Sequence, residues 1–484
     1  MIALTLVRIP PSIPSPDGLM RLLLPPLAPV AVLLLVGSLA CDSDDSTKPS
    51  PPPRFVGASV AANPNNAISA TVTLTATGYD SVFVRVWHDS GPAPRTPSTA
   101  FLAESTLTLP VLGLDTAAGY SFEVMLERKG KKPRAADTLA FTSGSLPAWI
   151  PVVGTVGTDT LPGYLLLSLP NGPVIVDNLG KVVWYRFRPG GVLGSWTGQP
   201  NGTYTWLSAA DSSGYYVHDV LGEETGRLAC VGYKTRFHDV LVQATGDVWI
   251  MCDEETIEDL TAYGGIDTAK VTSTVVQHLD PSGQVAFQWR SIDHLSFAES
   301  DPSLLTGAAV NFTHGNAIEL DADGLPLVSF RSLDEIVKID TATGNVLWRF
   351  GGLANQFTIL NDTKGAFQRQ HGLRVVGLGH LQFLDNGTQV PSRLVRYTLD
   401  TLAMTATLDW EFTDTPTTFA AVGGSTQVLS NGGGLVSFGP AGRVVQVDAA
   451  GARAWELSGI NGTYVFRAQR LTSLYFPASG PEHR

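Results

Sequence analysis

The sequence has few charged side chains, and fewer basic than acidic ones. Lys and Arg number 32 of 484 residues against 44 Asp and Glu, so the formal net charge is -12, and charged residues make up only 16%. A protein that binds nucleic-acid phosphates needs Lys and Arg clustered on one face, and no such cluster is visible. The sequence therefore argues against a nucleic-acid partner. Its 49 Gly, 32 Pro and 44% apolar residues indicate an ordered, turn-rich globular protein.

Cysteine is also scarce, and the first of the three cysteines follows a sequence typical of export. Arg21 precedes the apolar run LLLPPLAPVAVLLLVGSLA, and Cys41 comes directly after it. This pattern predicts a signal peptide over residues 1–41, with Met20 as an alternative start. Prolines within the run argue against a continuous membrane-spanning helix. We expect a periplasmic or envelope protein that is lipid-anchored at Cys41, with export without a lipid as the alternative.

The two other cysteines, Cys230 and Cys252, are the pair that remains if Cys41 is lipidated. An exported protein occupies a compartment in which disulfides persist, so these two residues are a possible disulfide. Two buried free thiols are the alternative, because sequence spacing alone does not show that the side chains meet.

The composition after Cys41 indicates a tether followed by a small domain. Residues 42–54, DSDDSTKPSPPPR, are acidic and then Pro-rich, which predicts a tether. Residues 55–145 contain short segments such as ISATVTLTATG and YSFEVMLERKG, in which apolar and polar residues alternate between turn residues. This pattern predicts a small β-sandwich of the immunoglobulin or fibronectin type, with a spacer or packing role.

Residues 146–484 show almost no helical periodicity and instead repeat one unit. The unit is an apolar strand ending in Asp, a Gly-containing turn and a strand that usually ends in Trp, as in IVDNLGKVVWYRF (175–187) and KIDTATGNVLWRFGG (338–352). Its six aspartates are at positions 177, 219, 280, 340, 400 and 448. We interpret the Asp turns and Trp residues as scaffold, with the Trp packed between blades. The repeat predicts an all-β catalytic domain folded as a six-bladed β-propeller, with seven or eight blades as the alternative.

A second hairpin precedes each unit, and three successive copies of it begin with histidine: His238, His314 and His371. In a propeller blade the first strand is innermost, so these residues should lie near the mouth of the central channel. The second strand returns antiparallel, which brings Arg331 beside His314 and Asn386 beside His371. We therefore expect three imidazoles from adjacent blades to meet at one concave site.

Three histidines first suggest zinc, which binds imidazoles in hydrolytic sites. An arginine beside them repels a dication, whereas its forked donors fit a tetrahedral oxyanion such as sulfate or phosphate. The same positive charge lowers the pKa of a neighbouring imidazole, which keeps the ring neutral and nucleophilic. The residues thus favour group transfer over metal catalysis.

Several motifs resemble those of the bacterial arylsulfate sulfotransferases that work without PAPS. The motifs are THGNAIELDADG (313–324), SFRSLDEIVKID (329–340), Gln370-His371, FLDNG (383–387) and YVFRAQRLTSLY (464–475). They recur in order, and the resemblance spans nearly all of the chain after the tether. It implies an exported enzyme built as a small β-sandwich followed by a six-bladed propeller. It also implies transfer of a sulfuryl group from an aryl sulfate to a histidine and then to a phenol.

Carried over to this sequence, the resemblance makes His371 the nucleophile. It implies that His314, Asn316 and Arg331 hold the sulfuryl oxygens, and that one histidine transfers a proton to the phenolic oxygen. His238 is implied as a further hydrogen-bond donor or acid. The partners are then a phenolic sulfate donor and a phenolic acceptor. We expect ping-pong kinetics through a sulfohistidine and no diffusible cofactor.

Two other functions fit parts of the sequence. The repeated Trp suggests a propeller dehydrogenase with a quinone cofactor, but that class should have adjacent cysteines stacked on the cofactor, and no two cysteines here adjoin. The alternative that is not an enzyme is a lipid-anchored propeller that binds a small ligand or an envelope partner, with inactive histidines. Acceptor-dependent release of nitrophenolate from 4-nitrophenyl sulfate distinguishes the transferase from both.

Overall fold

A computed structural model describes residues 52–88, 91–92, 95–101, 106–157, 161–189, 193–388 and 391–475. The predicted signal peptide 1–41, its Cys41, the alternative start Met20 and all but the last residues of the tether 42–54 lie outside these ranges. Nearly all regular structure in the described ranges is β-strand. No helix within them is long and apolar enough to cross a membrane.

Two antiparallel sheets form the N-terminal part. One contains β1 (Arg54–Ala62), β2 (Ala70–Thr77) and β6 (Thr106–Val111), and the other contains β3 (Ser81–His88), β4 (Gly91–Pro92), β5 (Thr99–Ala100), β7 (Gly119–Glu127) and β8 (Arg134–Thr142). The strand order is β1-β2-β6 in the first and β4-β3-β7-β8 in the second, where β5 also pairs with β3. Val72 and Leu74 of β2 are buried together with Val84 and Phe122 of the other sheet. The alternation of buried and half-buried residues along β2 is the period of two that the sequence predicts.

Six further sheets follow, each with at least four strands. The first contains β10 (Tyr164–Leu169), β11 (Gly172–Asp177), β12 (Val182–Tyr185) and, from the other end of the chain, β35 (Ala468–Leu471). The second contains β13 (Gly194–Gly198), β14 (Tyr204–Ser208), β15 (Tyr215–His218) and β16 (Glu224–Leu228). The third contains β17 (Lys234–Val242), β18 (Val248–Glu258), β19 (Ala269–Leu279), β20 (Val285–Arg290) and β21 (Ala309–Asn311).

The remaining three sheets repeat this plan. The fourth contains β22 (Gly315–Leu320), β23 (Pro326–Phe330), β24 (Glu335–Ile339) and β25 (Val346–Gly351). The fifth contains β26 (Thr358–Leu360), β27 (His371–Gly377), β28 (His380–Asp385), β29 (Arg393–Asp400) and β30 (Thr405–Thr413). The sixth contains β31 (Ser425–Val428), β32 (Gly434–Ser437), β33 (Val444–Val447), β34 (Arg453–Ser458) and β9 (Gly154–Gly157). Short 3-10 helices lie at Thr261–Tyr263, Ser291–Asp293, Phe297–Glu299, Pro302–Leu304 and Arg331–Leu333.

One edge strand of each sheet faces the neighbouring sheets. These strands are β35, β13, β17, β22, β27 and β31; each contacts the next, and β31 contacts β35. The two ends of the region meet twice, because β35 pairs with β10 and β9 pairs with β34. The first residues of these six strands are therefore the part of the fold that can bring side chains from different sheets together.

The repeated Asp and Trp residues are scaffold, as predicted. Each of the six repeat aspartates accepts a backbone N–H two residues further along, at 2.8–2.9 Å. This is the hydrogen bond by which Asp fixes a tight turn. Trp184 donates its indole N–H to the carbonyl of Val220, and Trp289 donates to that of Gly344, at 2.9 and 3.0 Å. Each of these bonds joins one sheet to the turn of the next.

Candidate active site

The three histidines converge from three neighbouring edge strands. His371 is the first residue of β27 and His314 directly precedes β22. The predicted strand start at His238 is wrong, because β17 begins four residues earlier, at Lys234, and His238 lies where its pairing with β18 is irregular. The Nε2 atoms of His238 and His314 are 3.0 Å apart. The centres of the His238 and His371 rings are 6.0 Å apart. His238 and His371 are only 5% and 3% exposed.

His371 is held in one tautomer. Its Nδ1 lies 2.9 Å from the carbonyl oxygen of Arg369 and 2.8 Å from Oδ1 of Asn386. Both oxygens are acceptors, so Nδ1 carries the proton and donates it. Asn386 is oriented by its own amide group, which donates to the carbonyls of Ala420 and Gly423 at 2.6 and 3.0 Å. The Nε2 lone pair of His371 is therefore available for chemistry.

A backbone N–H marks the direction of that lone pair. Gly423, just before β31, donates to Nε2 of His371 at 3.3 Å. Its backbone has φ +65°, a left-handed conformation that glycine adopts without strain. Formation of a covalent bond at Nε2 must break this hydrogen bond, which then leaves the Gly423 N–H free to donate to the newly attached group.

His238 and His314 form a linked pair. The side-chain amide of Asn311 donates to Nδ1 of His314 at 2.8 Å, which places the His314 proton on Nε2. That proton is directed at Nε2 of His238, so His238 carries its own proton on Nδ1, which has no partner in the described part of the chain. His314 has φ +51°, a conformation that costs a non-glycine residue about 1 kcal/mol or more. The backbone is thus strained at the position that places this ring.

All three imidazoles are neutral at neutral pH. Burial lowers the pKa of His371 to about 4, and the Arg331 guanidinium acts in the same direction. Burial likewise holds the pKa of His238 and of His314 well below the ordinary value, with the charge of Arg236 as the next cause. Neutral rings retain the lone pairs that a nucleophile or a proton acceptor needs.

Two arginines contribute to the site. Arg331 lies beside His314, as the hairpin predicts, because its backbone N–H donates to the His314 carbonyl at 3.1 Å. Within the described ranges its half-buried guanidinium makes no hydrogen bond or ion pair, and burial and the nearby Arg369 lower its pKa. Arg236, which the sequence reading missed, is buried; it donates to the Gly315 carbonyl at 2.5 Å and pairs with the carboxylate of Asp253. The sequence does contain a signal for Arg236. It lies two residues before His238, and residues two apart in a regular strand share a face.

Asn316 lies next to the backbone of His371. Its side-chain amide donates to the carbonyl of Gln370 at 2.6 Å, while its Oδ1 is buried without a partner in the described ranges. Gln370 in turn donates to the hydroxyl of Ser329 and the carbonyl of Glu335, both at 3.0 Å. This network connects the fourth sheet to the residue that precedes His371, so that Asn316 helps to set the position of the His371 ring.

Cys230 and Cys252 form a disulfide, with their Cα atoms 6.0 Å apart. Cys252 lies in β18 directly before Asp253, which pairs with Arg236. The crosslink therefore lies one residue away from the ion pair that holds Arg236 at the site. Within the described ranges, no group of three His, Cys, Asp or Glu side chains is arranged to hold a metal ion.

The buried histidines make folding stability depend on pH. The folded-state pKa of His371, about 4, lies below the ordinary value of 6.5, so the unfolded chain takes up a proton more readily. Its contribution of about 3 kcal/mol is present above the unfolded pKa and is lost as the pH falls towards the folded one. We expect the free energy of unfolding in urea to decrease between about pH 7 and about pH 5 by more in the wild type than in His371→Asn. Equal decreases in the two proteins would contradict this, and His380→Asn, at an exposed position of the same sheet, is the control.

Known structures resemble the fold only loosely. A protein of unknown function from Bacteroides caccae has 12% sequence identity and a TM-score of 0.41, over 63% of this chain and 98% of that one. A streptogramin B lyase has 11% sequence identity and a TM-score of 0.36, over 63% of this chain and 86% of the lyase. An inactive variant of virginiamycin B lyase from Staphylococcus aureus, with quinupristin, has 10% sequence identity and a TM-score of 0.34. The match covers 81% of this chain and 99% of that lyase.

Sequence comparison gives a firmer result. No curated protein matches the chain. A family model described as arylsulfotransferase (ASST) matches residues 188–461, more than half of the 484 residues. The matched stretch includes His238, His314, Asn316, Arg331 and His371. The chain belongs to the arylsulfotransferase family.

Proposed function

We propose that the protein transfers a sulfuryl group from an aryl sulfate ester to a phenolic acceptor, through a sulfohistidine at His371 and without PAPS. The observation that carries this proposal is the state of His371. Its Nδ1 is engaged by two acceptors, its pKa of about 4 keeps it neutral, and its Nε2 lone pair lies among side chains suited to an oxyanion. Membership of the arylsulfotransferase family supports the reaction class.

Two displacements complete the reaction. In the first, the Nε2 lone pair of His371 attacks the sulfur, and the S–O bond to the aryl group breaks with its electron pair leaving on the aryl oxygen. In the second, the phenol oxygen attacks the same sulfur, and the electrons of the N–S bond return to Nε2. The first aryl oxide leaves the site before the phenol binds and takes its proton from water. In the second displacement Nε2 of His238 gives up its hydrogen bond from His314, accepts the proton of the attacking phenol and then releases that proton to water, so the protons balance over one turnover. Two successive displacements through a covalent intermediate predict ping-pong kinetics.

The surrounding charges suit the transition state. Sulfuryl transfer, like phosphoryl transfer, places charge on the non-bridging oxygens, so a site accelerates it mainly by positioning and electrostatic stabilisation. Arg331 has donors that no described residue uses, and the Gly423 N–H becomes available once the N–S bond forms. Asn316 then acts chiefly on the backbone that carries His371, through the Gln370 carbonyl.

We infer that the six C-terminal sheets are the blades of a closed six-bladed propeller and that the two N-terminal sheets form a β-sandwich. The cyclic contacts of the six edge strands and the pairing of β35 with β10 support the first inference. The shared buried cluster of the N-terminal sheets supports the second. We also propose that the protein is exported and lipid-anchored at Cys41, from the sequence of residues 1–41 alone.

An assay of the purified protein tests the proposed function. Incubation with 4-nitrophenyl sulfate should give a burst of nitrophenolate equal to the enzyme concentration and then little more, because the sulfohistidine waits for an acceptor. Added phenol should restore steady release, with parallel double-reciprocal plots. Steady release without acceptor would indicate hydrolysis, and no release from any aryl sulfate would overturn the proposal.

A further inference from the structure

Two aromatic rings lie against His238, and a third stacks on one of them. The Phe237 ring is 4.2 Å from the His238 ring and 5.4 Å from the Phe466 ring, measured between centres. Phe466 is also 5.9 Å from His238, and Tyr464 stacks beside it at 6.5 Å with only 14° between the ring planes. We refer to Phe237, Phe466 and Tyr464 as the aromatic wall.

The aromatic wall extends to the nucleophilic atom. Gly423, which donates to Nε2 of His371, packs against it so closely that a Cβ at this position would collide with the Tyr464 hydroxyl and lie 3.7 Å from the Phe466 ring. The wall thus begins at His238 and ends beside the N–H that marks the direction of the His371 lone pair.

Arg331 and the C-terminal rings of the wall, Tyr464 and Phe466, approach the histidines from different sheets. Arg331 follows β23 of the fourth sheet, whereas Tyr464 and Phe466 precede β35 of the first sheet. A sulfuryl group bound at His371 with its oxygens towards Arg331 directs its ester oxygen away from the arginine. The group attached to that oxygen then lies over the aromatic wall.

Packing alone does not explain the wall. Phe466 is buried, but Phe237 and Tyr464 remain half-buried beside a polar site, and within the described ranges the Tyr464 hydroxyl makes no hydrogen bond. Burial raises the pKa of this hydroxyl to about 12, so it is an uncharged group at neutral pH. Half-buried aromatic faces next to a charged cluster are suited to stacking against another ring.

We propose that the aromatic wall holds the aryl ring of donor and acceptor in turn, and that Tyr464 is a residue that determines preference for aryl over alkyl substrates. The inference rests on the proposed function for the identity of the substrates. A wall of this kind should select a flat ring next to a sulfo group whether or not the group is transferred. Binding measurements therefore test it without turnover.

The test is calorimetric titration with phenylmethanesulfonate and hexanesulfonate. Both carry a sulfo group on carbon, which cannot be transferred, and they differ in having a ring or a flexible chain. We expect the wild type to bind phenylmethanesulfonate more tightly than hexanesulfonate. Tyr464→Leu should lower this preference about tenfold by removing ring contacts. Tyr464→Phe, which keeps the ring, should retain the preference to within about threefold.

Two further variants complete the design. Phe237→Leu should also lower the preference and provides a second measurement if Tyr464→Leu folds poorly. Tyr79→Leu removes a half-buried ring from the turn between β2 and β3 and should leave the preference unchanged. An unchanged aryl preference in both wall variants, or no aryl preference in the wild type, overturns the proposal. Because neither ligand reacts, a failure of the transferase assay does not alter this result.

Discussion

His371→Ala is expected to lower kcat for sulfuryl transfer from 4-nitrophenyl sulfate to phenol by a factor of about 10³ or more. The nucleophile is the group whose lone pair is easily released while its other nitrogen is fixed. Of the three rings His371 fits this best, since its Nε2 accepts a long backbone hydrogen bond, from Gly423 at 3.3 Å. Its Nδ1 has two acceptors, whereas the Nε2 atoms of His238 and His314 are occupied by each other. The burst of nitrophenolate in the absence of phenol should disappear together with steady turnover.

The location of the covalent sulfuryl group is the sharper measurement. Wild-type protein that is incubated with donor alone, quenched in base and digested should carry the group on the peptide that contains His371. His380→Ala, on the neighbouring strand of the same sheet, should keep the burst, since His380 is exposed and its Nδ1 lies 2.8 Å from the Thr398 hydroxyl, away from the three histidines' hydrogen bonds. A sulfuryl group found on His314 or His238 instead would contradict the assignment, as would full activity of His371→Ala with an unchanged circular dichroism spectrum.

The convergence of the histidines could be predicted from sequence because it follows from repetition. Residues at equivalent positions of successive repeats occupy equivalent positions in space, so histidines in the inner strands of three successive repeats meet. The exact strand start was predicted less well, since β17 begins four residues before His238. The same logic places Asn386 beside His371, since it directly follows the antiparallel return strand β28. These predictions needed only the strand period and the turn positions, and both are local properties of the chain.

Contacts between sheets could not be predicted in the same way. The hydrogen bond from Asn316 to the Gln370 carbonyl depends on the spacing of the fourth and fifth sheets, which no short segment encodes. Gly423 belongs to a repeat without a histidine, so its sequence gave no sign that its N–H meets His371. Tyr464 reaches the site only because β35 pairs with β10, about 300 residues earlier in the chain.

Substitution of Arg331 should cause the second large loss of activity. The surroundings of its side chain indicate that this loss comes without a loss of folding stability. Within the described ranges its guanidinium has no acceptor, so removing it breaks no hydrogen bond or ion pair of the resting protein. Burial of this charge costs free energy, since burial and Arg369 lower the Arg331 pKa and the charge of Asp334 offsets only part of this effect. A group that is costly in the free protein, and placed where an oxyanion must bind, contributes mainly when the anion is present.

Arg331→Met is therefore expected to lower kcat/KM for 4-nitrophenyl sulfate by about 10²–10³ while leaving the urea midpoint unchanged or slightly raised. Arg331→Lys should restore only part of the rate, because an ammonium lacks the fork of donors that matches two sulfuryl oxygens. Loss of the positive charge also raises the His371 pKa, so the acidic limb of the pH–rate profile should move to higher pH in Arg331→Met and less in Arg331→Lys. Arg227→Met, at an exposed arginine bonded to Glu224, should leave both the rate and the profile unchanged. A fall in rate with no movement of the acidic limb would place Arg331 too far from His371 to act on it directly.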